Sequence, residues 1–248
     1  MRKYVYDMHV HSSEGSACGN SPVRDMVRAF AKAGYSGFVL TDHFVHGNTA
    51  IPKNLPWERR MRAYYAIYEE AKEEAADWDI DVMFGLEHAY ERGKEVLTYG
   101  IDLAFLLAHP ELEQVNIDTY VKLVHEEGGL CFQAHPYRWA SYIPEGVEPR
   151  LDIVDGLEVF NACNPPLANE KARQAFQKRP HLLLSSGSDA HATWDTIGFS
   201  GLAFPERIRS GKELVKALKA RQGEPIEGKS ILNYIKMEDT LNEVQEGN

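Results

Sequence analysis

Short apolar runs alternate along this chain with stretches of helical periodicity. In YDMHVH, residues 6–11, Tyr6, Met8 and Val10 fall on one face of an extended strand and Asp7, His9 and His11 on the other. NSPVRDMVRAFAKAGY then spaces Val23, Met26, Val27, Phe30 and Ala31 as one helix face, with Ser21 expected as the N-cap, Pro22 at the first helical position and Gly34 as the stop. SGFVLTDH reads as a buried strand, and after a polar segment WERRMRAYYAIYEEAKEEAADW reads as a long helix. DVMFGLEH, EVLTYG and IDLAFLLAHP are expected strands, followed by the helix DTYVKLVHEEGG and the strand LCFQAHP. GLEVFN and HLLLSSGSDAH are strands flanking the helical ANEKARQAFQK, and SGKELVKALKARQ is the last full helix.

Repeated strand–helix units imply a parallel sheet, and about seven strands in this length favour a closed α/β barrel over an open sheet. With no repeat, low-complexity tract or long Pro/Gly/Ser linker, residues 1–248 are expected to form one domain, with residues after about 225 as a polar tail. No apolar run approaches the roughly 20 residues of a membrane helix and the N-terminus carries no signal-like apolar core, so the expected compartment is the cytoplasm. Cys18, Cys131 and Cys163 are too few and too scattered for a disulfide framework and read as reduced thiols. The formal charge of −10, from 37 acidic against 27 basic residues, disfavours a long nucleic-acid partner. Phosphate binding stays open if cations supply the positive charge.

The ends of the apolar runs carry the chemistry. The opening strand ends in His9 and His11, the second in Asp42 and His43, the third in Glu87, and later ones in His109, His135, and Asp189 with His191. In a parallel barrel those ends converge on the face that supplies active-site residues. A single strand-end histidine is ordinarily a hydrogen-bonded polar residue. Six strands ending alike, in residue types that ligate zinc, iron or manganese, point to a metal cluster. His125 on a helix, His181 at a strand start and His88 on the opposite face from Glu87 fall outside the pattern, and His46 lies in a loop within reach of it.

The ordered set H-x-H at 9 and 11 after Asp7, TDH at 41–43, GLE at 85–87, AHP at 108–110 and again at 134–136, and GSDAH at 187–191 resembles the PHP (polymerase and histidinol phosphatase) superfamily. The resemblance spans residues 7–191 and implies a distorted TIM-like (β/α)7 barrel with up to three divalent metals at its C-terminal face. Carried across, it implies that His9, His11, Glu87 and Asp189 hold one metal and that Glu87, His109 and His135 hold a second. His43 and His191 would hold a third. The usual pattern places a His or Asp in the loop after H-x-H, and this loop reads SSEGSACG. Glu14 is taken as its nearest carboxylate ligand, with Cys18 and His46 as the alternatives.

Two or three divalent ions (Zn, Fe or Mn) so held can generate hydroxide from a bridging water and clamp the oxygens of an in-line phosphoryl displacement. The expected activity is therefore that of a metal-dependent phosphoesterase acting on a small phosphomonoester. Arg138, just past the AHPY segment, would bind phosphate with its planar fork, and Asp7 would orient an imidazole or a ligated water from behind. Histidinol phosphate is one substrate the resemblance allows, but no imidazole-recognising pocket is legible. The rival readings are a phosphodiesterase or nuclease on nucleotides or short oligonucleotides, an amide hydrolase, and a non-catalytic metal-binding module.

Overall fold

The computed structural model describes residues 3–228, 230 and 231. Nine strands form one sheet: β1 (Tyr4–Val10), β2 (Gly37–Leu40), β3 (Asp81–Glu91), β4 (Lys94–Tyr99), β5 (Leu130–Gln133), β6 (Gly156–Asn161), β7 (Leu183–Gly187), β8 (Ser200–Phe204) and β9 (Glu224–Glu227), in the order β7-β6-β5-β4-β3-β2-β1-β8-β9. The row curls until β7 meets β1. Asp189 N donates to the His9 carbonyl at 2.8 Å, His11 N donates to the Ala190 carbonyl at 3.0 Å, and Val10 bridges Ala190 in parallel. Seven strands thus make a nearly closed α/β barrel, and the β8–β9 pair extends the sheet past the closure. The close approach explains Gly187, where a Cβ would lie 2.4 Å from the His9 Cβ.

The helices are α1 (Val23–Lys32), α2 (Trp57–Ala75), α3 (Leu103–Ala108), α4 (Ile117–Glu126), α5 (Pro166–Gln177) and α6 (Gly211–Lys219). Alternation along the strands divides the apolar side chains between two cores. Phe38, Leu40, Val82, Phe84, Val96 and Cys131 join the buried faces of α1, α2 and α4, whereas Val39, Met83, Leu97, Tyr99, Leu130 and Phe132 pack with Tyr6, Met8 and the apolar side of α6. Glu87 and Glu95 share the sequence parity of Met83 and Leu97, so they belong to the second, inward face. Glu158 has the parity opposite to Leu157 and Val159, which pack outward.

Three expectations change. The sheet is mixed rather than parallel: β3 and β4 form a hairpin without a helix, so β4 runs antiparallel to both β3 and β5. Its N-terminal end therefore lies at the same end of the barrel as the C-terminal ends of its neighbours. IDLAFLLAHP is not a strand, because Asp102 caps α3 by accepting a hydrogen bond from Phe105 N at 3.1 Å. An apolar run of this length is compatible with either element, and the cap decides it. Finally, α1 starts after Pro22, and Ser21 does not cap it; the free Val23 N–H is taken by the Glu14 carboxylate at 3.1–3.2 Å. The expected tail falls largely outside the described residues, although Glu224–Glu227 are the edge strand β9. Among the described residues no helix is long and apolar enough to cross a membrane.

Candidate metal centre

At the barrel mouth the ends of β1, β2, β3, β5 and β7 and the start of β4 bring together eight candidate ligands, six buried and two half-buried. Four overlapping groups place one donor atom of each member within 4.8 Å of the others: His9, His11 and Asp189; His9, Glu87 and His135; His43, Glu87 and Glu95; and His11, His43 and His191. Backbone pairing sets the spacing. The TDH segment continues beside β3, with Glu87 N donating to the Asp42 carbonyl at 3.1 Å and Phe44 N to the Glu87 carbonyl at 2.7 Å, so His43 and Glu87 sit side by side. His135 and Asp189 both hold positive φ, 26° and 56°, a conformation costing about 1–3 kcal/mol per residue that is retained where the surrounding fold enforces it.

Hydrogen-bond partners assign the tautomers. Glu158 already accepts from His135 N at 2.8 Å and Asn161 Nδ2 at 2.9 Å, so at 3.1 Å from its other oxygen His9 Nδ1 is the donor. Ser16 gives its hydroxyl proton to Asp42 at 2.8 Å, so it accepts from His11 Nδ1 at 2.9 Å. His191 Nδ1 donates to the Asp189 carbonyl at 2.7 Å. In its neutral form each of these rings therefore keeps the Nε2 lone pair for a ligand, which a bound cation would take in place of a proton. The two Nε2 atoms of His9 and His11 are only 3.0 Å apart, and each is within 3.2–3.4 Å of Glu87 and Asp189 oxygens.

Glu87 is fully buried and central: Oε1 lies 2.9 Å from His135 Nε2, and Oε2 lies 2.9 Å from His43 Nδ1. The latter pair lacks hydrogen-bond geometry despite its short distance, and among the described residues both atoms are left without a hydrogen-bonded partner. Buried donor atoms converging without satisfying one another are what a cation site requires, and the oxygen–imidazole set suits a borderline divalent ion. Charge is strongly redistributed here. Burial penalises the Glu87 carboxylate, yet His9 and His43 hold it well below its usual range. Burial also works against a charged His9, but Asp189 and Glu87 hold it above the ordinary imidazole range, whereas burial and the neighbouring His43 push His11 down to about 3.

Several expected residues take other positions. His109 ends α3, pairs with Glu111 at 2.8 Å and joins none of the groups, because the segment carrying it is a helix rather than a converging strand. Glu95 stands in its place, 3.3 Å from His135 Nε2 and 3.5 Å from His43 Nδ1. Glu14 is turned toward α1, and His46 packs edge-on against His88 with ring centroids 5.5 Å apart. Asp7 faces backbone rather than an imidazole, accepting from His9 N at 3.1 Å and Ser188 N at 2.9 Å, so it holds β1 against β7. Arg138 is packed into the site: Nη2 donates to Asp189 and Asn161, Nε donates to Asn164 at 2.8 Å, and Nη1 has no hydrogen bond among the described residues. Glu158, which orients His9 and the His135 backbone, and Glu95 both escaped the strand-end rule. Their parity within β6 and β4 was the available signal.

The PHP domain profile matches residues 7–164, and a PHP-associated profile matches residues 166–222. No curated protein matches the sequence. Among solved structures, a two-domain protein from Bacteroides vulgatus containing a predicted PHP-like metal-dependent phosphoesterase is similar at 17% identity and TM-score 0.66, over 91% of this chain and 65% of that one. The chain thus spans about two thirds of that protein. PsfC from Pseudomonas syringae is similar at 18% identity and TM-score 0.63, over 99% of this chain and all of that one. A lesion-specific endonuclease from Pyrococcus furiosus is similar at 14% identity and TM-score 0.59, over 88% and 56%.

Proposed function

Since the chain belongs to the PHP domain family, we propose that it is a metal-dependent phosphoesterase hydrolysing a small phosphomonoester with two or three divalent cations held at the barrel mouth. The observation that carries this reading is the pair of imidazole Nε2 atoms 3.0 Å apart, His9 and His11, whose Nδ1 atoms are both committed as donors elsewhere. His9, His11 and Asp189, with Glu87 beside them, would hold one cation. Glu87, His135 and Glu95 would hold a second, with Glu95 in the role expected of His109, and His11, His43 and His191 a third. When bound, such ions lower the pKa of a coordinated water and neutralise charge on a phosphoryl group.

The remaining residues position and select. Asp189 and Asn161 fix the Arg138 guanidinium, leaving Nη1 for a phosphate oxygen. Asp7 sets the separation of His9 from Asp189 through the backbone, and Glu158 keeps the His9 proton on Nδ1. Glu95 is shared with an open groove of about 1280 Å³ whose wall also carries Glu91, Glu113 and Glu148. The leaving group would lie there, and the acidic wall repels a polyanionic strand, which favours a small monoester over an oligonucleotide.

The test is elemental analysis of the purified chain, followed by phosphate release from monoesters and from bis(p-nitrophenyl) phosphate with Mn²⁺, Zn²⁺ or Fe²⁺ added. Bound divalent metal and faster monoester hydrolysis are expected. Absence of bound metal under every condition overturns the reading, and faster diester hydrolysis replaces it with the diesterase reading.

A further inference from the structure

Among the described residues no member of Ser12–Gly19 enters the four ligand groups, yet this segment closes on the buried Asp42 carboxylate beside them. Asp42 Oδ1 accepts from Ser12 N at 2.7 Å and from Ser16 Oγ at 2.8 Å, and Oδ2 accepts from Ser12 Oγ at 2.7 Å. The fit leaves no room at Gly15, where a Cβ would lie 2.2 Å from the carboxyl carbon. Ser16, itself fully buried, turns this contact toward the metal centre. Its hydroxyl has one proton and two lone pairs: the proton goes to Asp42, one lone pair takes His43 N–H at 3.0 Å, and the other is left for His11 Nδ1–H at 2.9 Å. One hydroxyl therefore fixes which nitrogen of His11 carries the proton and ties His11, just past β1, to His43, just past β2.

Building on the metal-centre reading above, we propose that Ser16 and Asp42 are positioning residues that hold His11 with its proton on Nδ1 and its Nε2 turned to the cations. The competing arrangement is close by. Asp189 and Glu87 oxygens stand 3.2 and 3.4 Å from His11 Nε2, and a proton placed on that nitrogen would be held by them and would block the cation. Ser16 removes this competitor by committing the proton to the far side of the ring. The Asp42 charge polarises the hydroxyl and makes the imidazole a stronger donor, as a carboxylate bonded directly to a ligand histidine does. Because His11 and His43 each belong to two ligand groups, the pair acts on more than one cation.

The test reads the ring nitrogens of His11 by long-range ¹H–¹⁵N correlation spectroscopy of the metal-stripped full chain, with His11→Gln to assign them, and Zn²⁺ affinity by chelator competition. Wild type is expected to show a protonated Nδ1 and an unprotonated Nε2. Ser16→Ala is expected to bind Zn²⁺ about 10–100-fold more weakly, the usual cost of losing the group behind a ligand histidine. Asp42→Asn, which removes the charge behind the hydroxyl, is expected to weaken binding in the same direction. Wild-type His11 protonated at Nε2, or either variant with wild-type Zn²⁺ affinity, overturns the proposal. Should Ser16→Ala fail to fold by circular dichroism, the wild-type spectrum decides. Zn²⁺ binding that depends on Ser16, without phosphoester hydrolysis, would reject the proposed function and keep the positioning pair; hydrolysis by a chain whose His11 carries its proton on Nε2 would do the reverse.

Discussion

Glu87→Gln is the most demanding single change for this metal centre, because it keeps the side-chain volume at a fully buried position while removing the charge from the middle of the cluster. Glu87 contributes Oε1 toward His135 and His9, at 2.9 and 3.3 Å, and Oε2 toward His43 and His11, at 2.9 and 3.4 Å. It belongs to two of the four ligand groups. Changing a partner that merely hydrogen-bonds a ligand typically costs about 10–100-fold in metal affinity, which is a lower bound for a direct ligand. Two groups losing that much independently would lose about 10²–10⁴ together, or roughly 2.7–5.5 kcal/mol. The assay is metal content after gel filtration, paired with initial rates of phosphate release over a metal titration. Bound metal should fall, and because filling both sites goes as the square of the metal concentration, the concentration for half-maximal rate should rise by about 10–100-fold. Glu95→Gln, which enters one group only, should show about 10–100-fold. A Glu87→Gln protein with wild-type metal content and rate would refute the assignment of Glu87 as the shared carboxylate.

His109→Ala should leave metal content and hydrolysis unchanged, since among the described residues its ring engages only Glu111 and Phe105; loss of a cation would return it to the ligand set. Glu14→Ala should lower thermal stability by about 1 kcal/mol through the lost Val23 N–H contact, a typical cap value, with metal content unaltered by elemental analysis. In the metal-free chain burial opposes a charged His43, but Glu87 outweighs it and holds the ring up to about 11; at His191 the Cys18 and Asp189 contacts likewise overcome burial to reach about 8. Folded-state values above the ordinary 6.5 mean that the folded chain binds more protons, so stability is lost as pH rises from about 6.5, through about 8 for His191 and about 11 for His43. Cys18 runs the other way, drawn down against burial to about 6 by His191 and His43, and is outnumbered by the imidazoles. Melting curves in EDTA should therefore shift down with pH, while the increment from added Zn²⁺ grows as ligand deprotonation becomes easier. A metal-free melting temperature that climbs over this range would contradict the charged imidazoles.

Much of the molecule was legible from local pattern. The helical stripes of α1, α2, α4 and α6 and the buried strands β2, β5 and β6 follow from periodicity because each must present one apolar face to a core. His9, His11, His43, Glu87, His135, Asp189 and His191 were found together because strands sharing a direction end on one face of a barrel. Where that premise fails, local reading fails with it. The β3–β4 hairpin reverses one strand, so Glu95 reaches the site from the start of β4, where no strand-end rule looks. The cap at Asp102 turns an apolar run into α3 and carries His109 away. Glu158 sits inside β6 and reaches His9 only because the sheet curls until β7 meets β1. The sequence by itself determined which residue types could ligate, and the periodicity that put most of them at strand ends, since both depend on contacts a few residues apart. Strand direction, barrel closure and the engagement of Glu14 with α1 and of His46 with His88 were decided by tertiary structure, because each depends on which distant segment supplies the competing contact.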